Sequence, residues 1–201
     1  MLSVYTLLVV LLTIPVACLY SSIGEWTLHK HFMHRPLWGF YYPFQTHTKV
    51  HHHLMRADET YHLDDLSLKD KVRMAWWNGP VIIAIGGIPF YIAAYAVGMF
   101  SMALFGWAVG LTAVAIFCAN YVVYEWLHWC MHLPANRRVE SSWIFRRLNG
   151  HHVLHHRYMG HNFNMVLPVA DWLFGTLLLR SKKPFSQVRG PSVPDVQPLP
   201  A

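Results

Sequence analysis

Two uncharged runs constrain this chain more than anything else in it. Residues 1–24, MLSVYTLLVVLLTIPVACLYSSIG, and residues 78–124 carry no acidic, basic or histidine side chain. A bilayer core takes about 20 apolar helical residues, so the first run supplies one membrane span and the second supplies two. The turn between those two is expected at residues 98–101, with VIIAIGGIPFYIAAYAV before it and MALFGWAVGLTAVAIFCANYVVY after it. Pro89 has no N–H to give its helix and is expected to kink it. Composition agrees: 54% of residues are hydrophobic and 13% charged, against about a quarter charged in ordinary soluble domains. The expected fold class is all-α, a polytopic membrane protein with about three transmembrane helices plus interfacial helices. No Lys or Arg precedes the first run, as a cleavable secretory signal requires, and Pro15 stands where a lipobox takes a small or aliphatic residue, so the run reads as an anchor.

All sixteen Lys and Arg fall in two segments, Lys30 to Arg73 and Arg137 to Arg189. Three spans place both segments on one side of the membrane. Lys and Arg mark the cytoplasmic side, so Met1 is expected outside and Ala201 inside, in a bacterial inner membrane or the endoplasmic reticulum. All fifteen histidines lie on that side or at the membrane edge facing it. The basic balance, pI near 9.3, is accounted for by topology and anionic headgroups, and no nucleic acid partner is expected. Three cysteines without a CxxC spacing give neither a disulfide framework nor a zinc-thiolate site.

Residues 1–180 read as a single membrane-embedded domain. Trp76 and Trp77, just before the second span, have the character of an aromatic belt. Residues 171–175, DWLFG, read as an interfacial helix that breaks at its glycine. The tail 181–201, rich in proline and turn residues and without periodicity, is expected to be disordered. The two histidine segments echo one another: EWTLHKHFMHRP at 25–36 against EWLHWCMHLP at 125–134, and HTKVHHHLM at 47–55 against HHVLHHRYM at 151–159. The offsets are not constant, so the echo only suggests a duplication.

The histidine spacings point to metal. On an α-helix, residues three or four apart share a face, so His128 with His132, His152 with His155 and His156, and His47 with His51 can each approach one ion. His29 and His34 are five apart, as are His47 and His52, which an α-helix sets about 140° apart. Such pairs call for two ions side by side, or for a helix that unwinds as it leaves the bilayer. Ten imidazoles exceed any mononuclear shell, whereas two ions with four or five ligands each absorb them. An all-nitrogen shell suits iron, copper, nickel or zinc rather than magnesium or calcium. Glu25, four residues before His29, and Glu125, three before His128, are placed to accept the outer ring proton of a ligand.

The segments HKHFMH, HTKVHH, HWCMH and HVLHH, followed by NFNMVLPVADWLFGT, resemble the integral-membrane fatty acid hydroxylase and sterol desaturase superfamily, the histidine-box di-iron proteins, from about Glu25 to Thr176. The resemblance implies a pair of iron ions, O2 as co-substrate, and oxidation of a lipid C–H bond. It also implies the ligands, box by box: His29 and His34; His47, His51 and His52; His128 and His132; His152, His155 and His156. His53 competes with His52, and His151 with His152. His161 and Asn164 are candidate outer partners, while His31, His53, His62 and His151 are otherwise assigned to the interface.

No general acid or nucleophile is identified beyond the metal centre. A fatty acyl or related lipid is the expected substrate, and hydroxylation the expected reaction. Desaturation, or carotenoid or sterol hydroxylation, is the alternative within the superfamily, and a membrane metal transporter or buffer the alternative outside it. A haem held by two histidines fits less well, because its ligands would face each other from within the helices. Zinc outcompetes ferrous iron at nitrogen sites, so overproduced protein is expected to carry some zinc. With no flavin or nicotinamide segment, electrons must come from a carrier such as ferredoxin or a b-type cytochrome with its reductase. Arg137, Arg138, Arg146, Arg147 and Arg157 offer an acidic carrier a basic dock.

Overall fold

The first long helix, α1 (Val4–Leu28), outruns its apolar sequence. It passes Pro15 without a break and takes Glu25 into its last turn, then continues as a π-helical segment, His29–Met33. A computed structural model describes residues 4–37, 39–96 and 103–180. The expected turn at 98–101 and the tail 181–201 lie outside the described residues. After α1 come α2 (Tyr42–Phe44), a π-helical segment Gln45–His51, and α3 (His52–Leu54), contiguous in sequence. Two 3-10 turns follow, Glu59–Tyr61 and Leu66–Lys71, each opened by an aspartate, Asp58 or Asp65, whose side chain accepts a backbone N–H. The remaining helices are α4 (Asn78–Ala96), α5 (Ala103–His132), α6 (Trp143–Arg157) and α7 (Val169–Leu173). No strand forms among the described residues; Leu37 and Phe40 make an isolated bridge.

Three helical stretches, Leu7–Met33, Asn78–Ala96 and Gly106–His132, are long and apolar enough to cross a membrane. Leu12, Ile92, Leu111 and Val122 point outward and are exposed, an apolar surface of a kind that water-soluble monomers rarely leave uncovered. The buried faces meet at Ala17 of α1, Phe90 and Ala94 of α4, and Val109, Ala113 and Phe117 of α5. Small residues here let the backbones close up, the usual basis of helix association in lipid. Gly110 is one such point, since any side chain there would run into the Tyr91 hydroxyl. Polar groups inside these helices are satisfied locally: the hydroxyls of Thr13, Thr27 and Thr112 donate to carbonyls one turn back. α4 runs on through Pro89, and one turn before it the Gly86 carbonyl accepts the Tyr20 hydroxyl at 2.7 Å.

At the histidine end, Tyr61, Tyr124, Leu127, Met131, Phe145 and Met165 form a second core that fixes α6 against the end of α5. α6 starts at Ser142, whose hydroxyl accepts the Phe145 N–H. α7 packs on α1 through Ala170, Trp26 and Phe163. It stops just before Gly175, whose φ of +68° reverses the chain, at the glycine where the sequence places the break.

Candidate metal centre

The ten imidazoles named from the sequence come together in two groups of five. His29, His34, His47, His52 and His155 form one; His51, His128, His132, His152 and His156 form the other. Within each group the ligand nitrogens all lie within 4.8 Å of one another. The groups adjoin, with the His52 and His156 rings 4.2 Å apart and the His47 and His51 rings stacked at 5.1 Å. Each half of the chain gives four ligands to its own group and one, His51 or His155, to the other.

Helix type explains this sorting, and it corrects the expectation that His47 and His51 share an ion. Of the two courses open to residues five apart, the chain takes the loosened helix and is π-helical at both places: His34 N–H donates to the His29 carbonyl, and His52 N–H to the His47 carbonyl. An i→i+5 hydrogen bond widens the turn, so residues five apart return to one face, with i+4 and i+5 falling to either side of i. His29 with His34, and His47 with His52, therefore share a group, while His51 turns to the neighbour. In the second half the helices are α, so the sharing pairs are four apart, His128 with His132 and His152 with His156. His155, three from His152, crosses over.

Contacts between Nε2 atoms run through each group. In the first they are His29–His47 at 2.8 Å and His47–His52, His52–His155 and His155–His34, each at 3.1 Å. In the second they are His128–His51 at 3.1 Å, His51–His156 at 3.3 Å, His156–His152 at 2.9 Å and His152–His132 at 3.0 Å. The outer nitrogens show how four of the rings are protonated. Nδ1 of His29, His132, His155 and His156 faces the carbonyl of Phe163, Tyr61, His161 and Met55, respectively. A carbonyl only accepts, so Nδ1 holds the proton and Nε2 turns a bare lone pair into the group. Converging lone pairs repel unless a cation lies among them. Two nitrogens bound at right angles, about 2.1 Å from one ion, sit about 3.0 Å apart. The residues thus fit a pair of metal ions.

The carboxylates do not take the role expected of them. Glu25 Oε1 accepts the Met165 N–H at 2.5 Å, and the outer proton of His29 goes to Phe163. Glu125 accepts the Met74 N–H, while His128 leans on the Val72 carbonyl. Both glutamates stand about one turn earlier on the helices that lead to these histidines, and neither receives a ring proton from them. His161 serves through its carbonyl, and its ring reaches the Thr176 carbonyl at 3.2 Å. Asn164 ties the 160s loop to α1, donating to the Ser22 carbonyl at 2.8 Å. His53, beside Arg56, and His151, 3.7 Å from Asp171, stay outside both groups, as do His31, packed on Trp26, and the exposed His62.

Sequence reasoning missed the residues that aim the ligands. The carbonyls of Met55, Tyr61 and Phe163 leave no side-chain signal. Thr48, whose hydroxyl lies 3.3 Å from His34 Nδ1, stands in no ligand spacing. Neither does Asp171, fully buried. Asp171 accepts N–H groups of Phe163 and Asn164 and the Thr176 hydroxyl, at 2.9, 2.8 and 2.6 Å. Burial pushes the Asp171 carboxyl up, but the neighbouring His151 ring, first, and then these donors outweigh it and hold the carboxyl below the ordinary aspartate range. It stands in the ADWLFGT run quoted for the family resemblance, so a signal existed.

Burial, and then the neighbouring imidazoles, hold His47, His51, His52 and His152 well below the usual histidine value of 6.5. The native metal-free protein therefore binds fewer protons than the unfolded chain. Its stability is fully present above pH 6.5 and is lost as pH falls below that value. Thermal unfolding of metal-stripped protein in detergent should show a level Tm above about pH 7 and a steep fall between about pH 6.5 and 5. A level Tm across that window would mean the rings are not buried neutral.

Against the first group lies an apolar cavity of about 430 Å3, between α1, α4 and α5, walled by Ile23, Ile83, Ile85 and Phe117 and reaching His29. Such a volume falls in the range of small-molecule sites. No family model, curated protein or solved structure matches this chain.

Proposed function

We propose that the protein is an O2-dependent di-iron lipid hydroxylase that oxidises a C–H bond of a fatty acyl or related lipid. The observation that carries this reading is the pairing of two five-histidine groups with an apolar cavity among membrane-capable helices, His29 belonging to both. When bound, two iron ions would supply the O2 activation that attack on an unactivated C–H bond requires. The chain's own part is to place and protect. Its ten imidazoles hold the pair, carbonyls behind five of them, His29, His128, His132, His155 and His156, fix which nitrogen faces inward, and the cavity wall aligns a chain while excluding water. One oxygen atom enters the C–H bond and the other leaves as water, with an electron pair and protons supplied from outside the chain.

The test follows label from 18O2 into lipid, using iron-loaded membranes and a ferredoxin or b-type cytochrome reductant chain. A labelled lipid hydroxyl is the expected product. O2-dependent double bonds without label would make the reaction a desaturation, and metal movement indifferent to O2, with no oxidised lipid, would make the protein a transporter.

The histidine groups belong on the cytoplasmic side in this reading, because the Lys and Arg cluster beside them. Cysteine placed at Ser3 should react with an impermeant reagent on intact cells, and cysteine at Ser186 only after permeabilisation. The reverse pattern, or two positions that behave alike, would sink that sidedness.

A further inference from the structure

Two glycines stand in the walls of the apolar cavity, Gly24 on α1 and Gly86 on α4. Each is at the middle of the arc that its helix turns to the cavity. Around Gly24, the residues one turn away on the same face, Tyr20, Ser21, Thr27 and Leu28, all line it. Around Gly86, Ile82, Ile83 and Pro89 do the same. A side chain at either position would therefore project into the cavity, and a Cβ there would meet no atom of the surrounding protein within 4 Å. Packing does not ask for glycine at these points. Gly79 and Gly110 are held to glycine by close neighbours, the rings of Tyr121 and Tyr91, whereas Gly24 and Gly86 have no such neighbour and neither takes a positive φ. Glycine is also the poorest helix former after proline. The fold gains nothing from the room these residues leave, and a ligand that fills it does.

We propose that Gly24 and Gly86 determine which lipid the cavity takes: their missing side chains keep open a slot along α1 for the hydrocarbon chain of a lipid from the adjoining leaflet. The inference rests on the reading of this cavity as the lipid site. The slot begins at His29, which lines the cavity and belongs to the first metal group. It ends at Tyr20, which ties α1 to α4. The Tyr20 hydroxyl donates to the Gly86 carbonyl at 2.7 Å, and its ring packs on Phe90 and Phe117 at 5.4 and 5.7 Å. Tyr20 and His29 are nine residues apart, about 13 Å along the helix axis. Tyr20 is also the midpoint of the membrane-capable stretch Leu7–Met33, so the slot matches one leaflet, half of a hydrocarbon core about 30 Å thick. Carbons joined by bonds of about 1.5 Å advance an extended chain by about 1.3 Å each, so about ten carbons span the slot. That stretch of chain is unsubstituted by polar groups, because Ile23, Ile83 and Phe117 face it and the Tyr20 and Thr27 hydroxyls are committed to the carbonyls of Gly86 and Ile23.

The test is direct binding and needs no turnover. Full-length protein in lipid nanodiscs is irradiated with hexadecane carrying a terminal diazirine, and labelled residues are mapped by mass spectrometry. Labelling is read at Phe117, beside Tyr20, and at Tyr124, nearer the metal centre, against the outward-facing Ile92. Gly86→Phe fills the far end, so it should cut labelling of Phe117 by about fivefold or more, the low end of what overpacking costs, and spare Tyr124. Gly24→Phe fills the middle and should cut both. Gly24→Ala and Gly86→Ala add one methyl group each, so they should keep most of the labelling and raise Tm by removing glycine's helical cost. Bound metal per chain checks folding, and leucine at the same positions serves if phenylalanine costs the chain its metal. Cavity labelling absent from the unaltered protein or untouched by both plugs, or alanine variants that melt lower, would overturn the slot and leave the hydroxylase reading standing. Labelling lost as expected, with no 18O in any lipid from the unaltered protein, would overturn the hydroxylase reading alone.

Discussion

Replacing His156 with alanine should lower bound metal from two ions per chain toward about one and reduce lipid oxidation at least about 100-fold, a loss at or beyond the outer end of what removing a ligand's supporting partner costs. His156 Nε2 lies 2.9 Å from His152 and 3.3 Å from His51, so it touches ligands from both halves of the chain. Its Nδ1 is fixed on the Met55 carbonyl. Spare histidines cannot replace it: His53 is turned toward Arg56, His151 toward Asp171, and His62 is exposed. His62→Ala should accordingly keep its metal and most of its activity. The measurement is metal content by mass spectrometry beside 18O incorporation, on iron-loaded protein so that zinc does not pass for inactivation. Full metal in His156→Ala, or equal losses in both variants, would dissolve the assignment of the second group.

Asp171→Ala should be the most damaging change outside the ligands. It strips the acceptor from three buried donors, the N–H groups of Phe163 and Asn164 and the Thr176 hydroxyl. At about 1–3 kcal/mol for each group left unpaired, the variant should lose about 3–5 kcal/mol or more of stability. The loss should also be lopsided. The loop that Asp171 ties down carries the Phe163 and His161 carbonyls, which aim His29 and His155, and both rings belong to the first group. His132 and His156 are aimed instead by Tyr61 and Met55, on the far side of the centre. Asp171→Asn keeps the shape and one acceptor, so it should remain folded and bind about one ion firmly while the other exchanges. Denaturation of the alanine variant and metal retention in the asparagine variant measure the two effects. Metal loss spread evenly over both groups would show that Asp171 acts on stability alone.

The outline of the fold was legible in residues 1–24 and 78–124, because hydrocarbon imposes a one-dimensional requirement of length and absent charge that a chain can meet without reference to the rest of itself. Where the helices end was less legible. α1 carries Glu25 and its π-helical continuation carries His29, and α5 carries Glu125, His128 and His132, since a helix stops where its backbone loses partners and not where its apolar run does. The identity of the ten histidines could be read in the same local way, as spacings of three, four and five.

Which histidine joins which group could not. His51 and His52 are neighbours in sequence yet serve different groups, as do His155 and His156. The deciding facts are a change of helical pitch at His29–Met33 and Gln45–His51, and the placing of backbone carbonyls from residues as distant as Phe163 behind His29. The loosened turn leaves only the spacing of five, which two ions would explain equally well, and the placing of a carbonyl leaves no mark on composition or periodicity. A carbonyl is the same at every residue, and only the tertiary structure determines which ring it faces. The sequence by itself determined that this chain has membrane-capable helices and imidazoles enough for two metal ions. The packing of α1, α5, α6 and the 160s loop decided how those imidazoles divide, which nitrogens face inward, and that Glu25 accepts the Met165 N–H instead of the outer proton of His29.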